Sequence, residues 1–209
     1  MRVLVACERS GIVREEFRLL GHDAWSCDLE PAEDGSAFHV QGDALDTAQR
    51  MRWDLMIAHP ECRYLSVSGL HWNKRRPERA ALTEAAVAFA LALWHAPVPR
   101  IALENPVGLL SNRIGKPDQI IQPYQFGDDA SKATCLWLKN IPQLQLTSRF
   151  PGRRVVYNGK TVERWSNQTD SGQNRLGPSP TRSMDRARTY RGIARAMASQ
   201  WGALDADPR

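Results

Sequence analysis

The stretch RVLVACERSGIVREEFRLLGHD, residues 2–23, decides the fold expected of this chain. It opens with a short apolar run of the kind found in a buried parallel strand. The residues that follow place Val13, Phe17 and Leu20 on one face of a helix that closes at Gly21. Strand, glycine-bearing loop and helix together predict a first βα unit.

The same alternation continues along the chain. A helix rich in alanine and leucine is predicted from about Pro77 to His95. Five further runs are predicted as strands: 23–31 ending in Asp28, 38–46 ending near Asp43, 53–60, 100–106 and 133–140. Strands that alternate with helices predict an α/β domain with a mostly parallel sheet, whose functional loops follow the carboxyl ends of the strands.

The composition is that of a compact globular protein. Of the 209 residues, 42% are hydrophobic and 24% are charged, which argues against a wholly disordered chain. The longest apolar run, 85–96, is too short to cross a bilayer, and the first residues carry no signal-peptide pattern. The four cysteines are too widely spaced for a disulfide framework or a zinc site. We therefore expect a cytoplasmic protein with no membrane partner and no metal.

Polar residues stand at or just past the ends of several predicted strands. They are Glu8, Asp28, Asp43, Cys62 and Glu104. An acid that closes the second strand of a nucleotide-binding sheet accepts hydrogen bonds from ribose hydroxyls, and the first βα loop offers backbone N–H groups. Asp28 and Asp43 fit caps of helices or turns equally well, and the first loop is not a GxGxxG loop.

Glu104 follows a short buried strand in IALENP, which Pro106 ends by withholding a donor. A carboxylate partly removed from water in this way is expected to stay protonated near neutral pH and to donate to a ring nitrogen. The alternative is a glutamate that caps a helix or forms a salt bridge.

Cys62 lies in DLMIAHPECRYLSVSG, residues 54–69, where an apolar strand ends in a polar loop. Arg63 and the loop amides favour a thiolate there, which would attack an electrophilic carbon. Glu61 acts in the opposite sense, since an adjacent negative charge raises the pKa of a thiol. The alternative is a small buried hydrophobic residue, which is the interpretation favoured for the other three cysteines.

The chain is most basic between residues 149 and 188. This stretch is rich in Gly, Ser, Asn and Pro and holds nine Arg or Lys against three acids, in a chain of net charge +5. The excess predicts contact with a polyanion, and a solvated surface loop is the alternative. A helical pattern resumes over 185–202, with Ile193, Met197 and Trp201 four residues apart.

A strand ending in HPEC (59–62), followed by one ending in ENP (104–106), resembles the DNA cytosine-5 methyltransferases. Their nucleophile lies in a Pro-Cys loop and their base-binding glutamate in a Glu-Asn motif. The resemblance covers most of residues 1–140 in order, and the short methyltransferase-like proteins of bacteriophages and prophages come closest in size. It implies a Rossmann-like S-adenosylmethionine-dependent methyltransferase fold with a reduced target-recognition region.

The resemblance implies that the chain is divided into three parts. They are a methyltransferase core over 1–148, a basic loop-rich insertion over 149–188 in place of a target-recognition domain, and a C-terminal helix over 189–209 that returns to the core.

The resemblance also implies roles for individual residues. Cys62 would add to C6 of cytosine while Glu104 hydrogen-bonds N3 and the amino group, so that C5 takes the methyl group. Residues implied to bind S-adenosylmethionine are Cys7, Glu8, Ser10, Gly11, Asp28, Asp43, Pro60 and Ile193. Residues implied to bind nucleic acid are Arg63, Ser66, Lys132, Thr134, Arg153, Arg154, Lys160 and Arg164, with Tyr157 and Trp165 as stacking or wedging groups.

Three segments depart from the family pattern. Pro-Pro-Cys has become Pro60-Glu61-Cys62, and the phenylalanine and glycines expected in the first loop appear as ACERSG. The Gln-x-Arg-x-Arg segment is replaced by FGDDASKATCLWL, where Lys132 and Thr134 would take over its polar contacts.

The resemblance thus predicts a DNA cytosine-5 methyltransferase that flips its target base out of double-stranded DNA. Its sequence selection is expected to be relaxed or assisted by a protein partner. Two alternatives remain open. One is an inactive nucleic-acid-binding protein on the same scaffold, favoured by Glu61 and the altered first loop. The other is an enzyme that uses Cys62 and Glu104 on RNA or a free nucleotide, or with a different transferred group.

Overall fold

The computed structural model describes residues 1–177, 179 and 189–204. The strands are β1 (Arg2–Ala6), β2 (Asp23–Asp28), β3 (His39–Gln41), β4 (Leu55–Ala58), β5 (Ile101–Pro106), β6 (Gln119–Ile121), β7 (Thr134–Lys139), β8 (Arg153–Tyr157) and β9 (Lys160–Arg164). The α-helices are α1 (Ile12–Leu19), α2 (Ala44–Arg50), α3 (Val67–Leu70), α4 (Pro77–Trp94), α5 (Leu110–Arg113) and α6 (Arg191–Trp201). Two 3₁₀ turns cover His71–Lys74 and Pro123–Gln125.

Seven strands form one sheet in the order β3-β2-β1-β4-β5-β7-β6. The pairs among β1 to β5 are parallel, and β7 runs antiparallel to both of its neighbours. A doubly wound order with one antiparallel strand inserted near the edge is that of the Rossmann-like methyltransferase fold. The predicted fold class is confirmed.

The apolar core covers both faces of this sheet. On one face, α1 and α6 pack over Val5 and Ile57 with the fully buried Phe17 and Trp201. On the other face, Leu4, Met56 and Ile101 belong to a second buried cluster that is closed by α2 and α4. Burial on both faces explains why β1 and β4 are continuous apolar runs rather than alternating ones.

Several details differ from the sequence prediction. Leu20 was expected on the buried face of α1, but the helix ends at Leu19 and Leu20 is 54% exposed. The third strand is short and ends at Gln41, so Asp43 lies beyond it. β6 was not predicted, because three residues carry too little periodicity to register.

The basic stretch 149–188 contains a β-hairpin that was also not predicted. β8 and β9 pair in antiparallel register and are joined by Asn158 and Gly159, both with positive φ (50° and 73°). An Asn-Gly pair in this conformation makes the tight turn that suits a twisted hairpin. The predicted helix over 185–202 is observed from Arg191, and residues 185–188 lie outside the described residues, as do 178, 180–184 and 205–209.

Over the described residues, no helix combines the length and the apolar character needed to cross a membrane.

Trp201 tests the packing of α6 on the sheet. Its side chain is fully buried, and its Nε1 donates to the Pro142 carbonyl at 2.9 Å. Trp201→Ala leaves a large cavity and an unsatisfied carbonyl, so we expect it to lower the free energy of unfolding by about 3–5 kcal/mol in urea denaturation. Trp72→Ala is the matched control, because Trp72 is 40% exposed, and should lose well under half as much. Equal losses in the two variants would contradict the core packing described here.

Candidate active site

The candidate active site lies where β1, β4 and β5 end side by side. β4 pairs in parallel with β1 on one side and with β5 on the other. Parallel neighbours end at the same edge of a sheet, so the loops that follow them meet there. The sheet thereby brings together the HPEC and ENP segments, which lie 45 residues apart in the sequence.

His59 and Glu104 make a polar contact between these two segments. His59 Nδ1 lies 3.1 Å from Glu104 Oε2. Burial raises the pKa of Glu104, but the hydrogen bond with His59 and the positive charges of Lys132 and His59 outweigh burial and hold this pKa below its ordinary value. The prediction that Glu104 stays protonated near neutral pH is therefore wrong, because these neighbours stabilise the carboxylate.

Asn105 joins the end of β5 to the loop that carries Cys62. Its Nδ2 donates to the Pro60 carbonyl at 2.8 Å, and its side chain is 1% exposed. Within the described residues, Asn105 Oδ1 accepts no hydrogen bond although it is buried. A buried amide that is only partly satisfied costs stability, so the bond to Pro60 is its main contribution to the fold.

The backbone after Cys62 folds against the segment that follows β5. The Cys62 carbonyl accepts hydrogen bonds from the backbone N–H groups of Leu65 and Ser66 at 3.1 and 3.0 Å. The Leu65 carbonyl in turn accepts from Leu109 N–H at 2.8 Å. A Cβ atom on Gly108 would overlap the Leu65 carbonyl oxygen, so a glycine is needed for this approach. Cys62 is thus half-buried at the start of a fixed loop.

Glu61 and Arg63, the neighbours of Cys62, are both exposed. The Arg63 guanidinium lies over the Tyr64 ring, 5.5 Å from its centroid. Because Glu61 faces solvent, water and salt screen its charge. Glu61, which replaces the second proline of Pro-Pro-Cys, therefore keeps its carboxylate outside the buried part of the site.

Lys132 and Thr134 reach the site from the strand beside β5. Thr134 begins β7 opposite Pro106, is buried, and donates from its hydroxyl to the Lys132 carbonyl at 3.2 Å. Lys132 is half-buried, and its charge lowers the pKa of Glu104. Lys132 thus acts on the site through its charge, whereas the Thr134 hydroxyl is bound within the protein.

The first βα loop is occupied by its own side chains. Glu8 is buried and accepts hydrogen bonds from Val13 N–H at 2.7 Å and Arg14 N–H at 3.2 Å. Burial raises the pKa of Glu8. Gly11 has a φ of 72°, and a Cβ there would overlap the Arg14 guanidinium. Ser10 lies between them, with its hydroxyl 3.3 Å from the Glu8 carboxylate.

Asp28 and Asp43 lie close to Cys7. Burial raises the pKa of the Cys7 thiol, and the charges of Asp28 and Asp43 raise it further. Asp28 accepts from Glu30 N–H at 3.0 Å, and Asp43 caps α2 by accepting from two N–H groups of its first turn at 2.8 and 3.0 Å. Both thus make the turn and cap contacts that were the alternative interpretation. In the described part of the chain, the second oxygen of each carboxylate accepts no hydrogen bond.

Ile193 lies on α6, which packs against α1. Its side chain is 4% exposed and belongs to the same apolar cluster as Val13 and Phe17. The preceding Gly192 N–H donates to Asp128 at 3.0 Å, which fixes the start of α6. Ile193 therefore lies in the core beside α1 rather than on the surface.

The arginines of the β8–β9 hairpin mostly bind within the protein. Arg153 pairs with Asp170 at 2.6 Å, and Arg164 Nε donates to the Asp170 carbonyl at 3.0 Å. Arg154 and Lys160 are exposed and form no ion pair among the described residues.

Of the two aromatic residues predicted to stack on bases, Tyr157 is exposed and Trp165 is not. Tyr157 is 40% exposed at the end of β8. Trp165 is 7% exposed, and its ring stacks on Tyr124 at a centroid distance of 3.9 Å. The expectation for Trp165 is wrong, because its ring is already covered within the protein.

Two residues of the site, His59 and Asn105, were not predicted. Both stand inside the quoted motifs, but only the pairing of β4 with β5 shows that they contact Glu104 and Pro60. The signals for them are a histidine directly before Pro60 and an amide directly after Glu104, and their meaning is clear only when the two strands are known to pair.

Within the described ranges, no three His, Cys, Asp or Glu side chains are grouped to hold a metal ion.

The matches among known proteins are to solved structures only. No protein-family model and no curated protein matches the chain. A prophage-encoded protein of E. coli described as a DNA modification methyltransferase is 14% identical, with a TM-score of 0.45 over 66% of this chain and 46% of that one. An rRNA methylase from Escherichia coli is 14% identical, with a TM-score of 0.37 over 66% of this chain and 56% of that one. The chain thus spans about half the length of these two proteins.

The contributions of Glu104 and Glu8 to the free energy of unfolding should depend on pH in opposite directions. The pKa of Glu104 lies below its ordinary value of 4.5, so the ionised form stabilises the fold above pH 4.5 and this contribution is lost as the pH falls through the folded value. Relative to Glu104→Gln, the wild type should therefore lose free energy of unfolding as the pH falls from 7 to 3.

Glu8→Gln is the matched control. The pKa of Glu8 lies above 4.5, so its contribution is full below 4.5 and is lost as the pH rises through the folded value. Relative to this variant, the wild type should gain stability on acidification. Urea denaturation of the three proteins over this pH range measures both trends, and trends of the same sign would contradict the electrostatics described here.

Proposed function

We propose that the chain is an S-adenosylmethionine-dependent DNA cytosine-5 methyltransferase, with Cys62 as the nucleophile and Glu104 as the group that binds the base. The observation that carries this proposal is the hydrogen bond from Asn105 to the Pro60 carbonyl, 2.8 Å long and fully buried. It ties the loop of Cys62, which is half-buried, to β5, the strand that carries Glu104. A thiol and a carboxylate fixed at one sheet edge are the two groups that addition to a pyrimidine ring needs.

The thiol side of the reaction falls to Cys62. Its thiolate donates an electron pair to C6 of cytosine, which forms the S–C6 bond and makes C5 nucleophilic. The methyl group that C5 takes would come from the sulfonium sulfur of the cofactor, whose bond to that methyl group breaks. Transfer of the C5 proton to water then returns the C–H electrons to the C5–C6 bond, and the S–C6 bond breaks to release Cys62 as a thiolate. Arg63, next in sequence and exposed, is a cation beside the loop during these steps.

The carboxylate side falls to Glu104, which begins the reaction ionised. In that state it accepts a hydrogen bond from the amino group of cytosine. Binding of a base excludes water from Glu104, which raises its pKa and favours the protonated form against N3. His59 Nδ1, 3.1 Å away, is in place to exchange that proton.

The residues around Cys7 suit the proposed cofactor. S-adenosylmethionine supplies, when bound, a methyl group on a positively charged sulfur. Asp28 and Asp43 would accept from its ribose hydroxyls and adenine amino group, since each keeps a carboxylate oxygen that accepts no hydrogen bond in the described residues. Cys7, Glu8, Ser10, Gly11, Pro60 and Ile193 would shape the same pocket, with Glu8 acting through the amides of α1 that it orders.

The proposed substrate is double-stranded DNA with the target base flipped out of the stack. Arg63, Ser66 and Lys132 lie around Cys62 and Glu104, and Arg154 and Lys160 extend from the hairpin into solvent. Arg153 and Arg164 hold the hairpin together, so we assign them the support of its surface, as we do Thr134 beside Lys132. Sequence selection would be relaxed or supplied by a protein partner.

A second candidate is an inactive nucleic-acid-binding protein on the same fold. The ionised state of Glu104 and the occupation of the α1 amides by Glu8 favour it. It predicts binding of nucleic acid that does not depend on Cys62.

The experiment is to incubate the protein with S-adenosylmethionine and duplex DNA that contains 5-fluorocytosine, which has no C5 proton to lose. We expect a covalent protein–DNA adduct in denaturing electrophoresis, absent in Cys62→Ser. Cys27→Ser is the matched control, because its thiol lies in the core, within 3.4 Å of the Gly42 carbonyl, and should leave the adduct unchanged.

The same incubation is repeated with RNA that contains 5-fluorocytosine and with the 5-fluoro form of deoxycytidine monophosphate, and the protein mass is measured to detect an adduct with the free nucleotide. An adduct with one of these and none with DNA would move the proposal to that substrate. No adduct with any of them, together with no binding of S-adenosylmethionine, would refute the proposed enzyme and leave the inactive binder.

A further inference from the structure

An exposed group of cations surrounds one tryptophan directly after the Cys62 loop. Between residues 61 and 79 the chain holds five Arg or Lys against two acids. Its centre is the 3₁₀ turn His71–Lys74, which links α3 to α4. We call Trp72, Lys74, Arg75 and Arg76 the Trp72 patch.

The cations of the Trp72 patch are exposed, and none of the three forms an ion pair with a described residue. This separates them from Arg149, which pairs with Glu163, and from Arg153 of the hairpin, which pairs with Asp170. Charges that are not neutralised within the protein keep their full attraction for an external polyanion.

The tryptophan ring is held among these charges. The guanidinium carbons of Arg75 and Arg76 lie 5.6 and 5.4 Å from its centroid, and the His71 ring lies 4.9 Å away. Trp72 is nevertheless 40% exposed. An exposed aromatic ring framed by guanidinium groups is the arrangement that stacks on bases or sugars while its neighbours bind phosphates.

Arg79 ties the start of α4, directly after the Trp72 patch, to the loop of the nucleophile, and its backbone N–H donates to the Arg76 carbonyl at 3.0 Å. From the first turn of α4, its Nη2 donates to the Arg63 carbonyl at 2.8 Å and its Nε donates to the Gly69 carbonyl at 3.3 Å. Its guanidinium also lies 4.8 Å from the Tyr64 ring centroid. The patch and Cys62 are therefore parts of one hydrogen-bonded segment and would meet the same ligand.

We propose that the Trp72 patch binds the phosphate backbone of the nucleic acid beside the target base, with Trp72 packed on a base or sugar. The proposal rests on the proposed function for the choice of ligand. It assigns to residues 72–76 the backbone contacts that were expected from Arg153 and Arg164, which bind within the protein instead. Because Lys74, Arg75 and Arg76 contact phosphates, they add affinity without selecting a sequence.

The test compares duplex DNA binding by the wild type with that of the triple variant Lys74→Gln/Arg75→Gln/Arg76→Gln, from 50 to 200 mM salt. The slope of log K against log salt is negative, and each lost phosphate contact makes it shallower by about 0.9, so three make it shallower by about 2.7. The ratio of the wild-type binding constant to that of the variant should therefore fall about 40-fold between 50 and 200 mM salt. Trp72→Ala should weaken binding while leaving the slope unchanged, since it removes no charge.

The matched control is Arg50→Gln/Arg52→Gln/Lys116→Gln. It removes the same formal charge from exposed residues that precede β4 and β6, at the opposite edge of the sheet, and should keep the wild-type slope. Arg50 is paired with Asp46, so the double variant Arg52→Gln/Lys116→Gln, which removes only cations without an ion pair among the described residues, is measured beside it and should also keep that slope. Circular dichroism melts check that all variants are folded.

The outcomes separate this inference from the proposed function. A triple variant with the wild-type slope, or a control with an equally reduced slope, would overturn the Trp72 patch and leave the proposed function standing. A wild type that binds neither DNA nor RNA would overturn both. If the triple variant has a shallower salt slope for RNA and not for DNA, the Trp72 patch would be supported and DNA would be overturned as the substrate.

Discussion

The buried hydrogen bond from Asn105 to the Pro60 carbonyl is the contact on which the geometry of the site depends. The sheet delivers the ends of β4 and β5 to one edge, but it does not fix the loops that leave them. Asn105 fixes the first of these loops at Pro60, and the close approach of Gly108 to Leu65 fixes it again five residues later. Between these two points Cys62 has little freedom to move relative to Glu104. A reaction that needs both groups benefits from such preorganisation, since misplacement by about 1 Å costs roughly 100-fold in rate.

Charge at the site is balanced by the same arrangement. Glu8 and Glu104 approach His59 from the strands on either side of β4, yet their pKa values shift in opposite directions. Glu8 is enclosed by backbone amides and loses its hydration, whereas Glu104 faces His59 and Lys132 and keeps its charge. Two carboxyl groups with pKa values pushed apart can hold different protonation states at one pH, which is the usual basis for a division of acid and base roles.

Much of the fold was predictable because its central strands are buried on both faces. The runs of β1, β4 and β5 stand out as apolar, and α1 and α4 follow from periodicity and composition. β6 and the hairpin were missed because short strands at an edge, or outside the main sheet, have exposed faces and little apolar pattern. Leu20 was misplaced because the helix ends one residue earlier than its spacing suggests.

The site was predictable in its residue types and less so in its contacts. Cys62 and Glu104 follow from motif order, but the partners of Glu104 come from other strands and decide its protonation against the sequence expectation. The burial of Trp165 likewise depends on Tyr124, which lies 41 residues away. Contacts between distant residues set these properties, and local patterns carry no record of them.

Hydrogen–deuterium exchange at residues 61–66 in Asn105→Ala tests the central contact most directly. The amides of Leu65 and Ser66, which donate to the Cys62 carbonyl, should exchange faster than in the wild type while those of β1 and β4 are unchanged. Asn140→Gly is the control, because Asn140 donates to the Pro99 carbonyl at the same distance of 2.8 Å near the other end of β5. Unchanged exchange at Leu65 and Ser66 in Asn105→Ala would contradict the account.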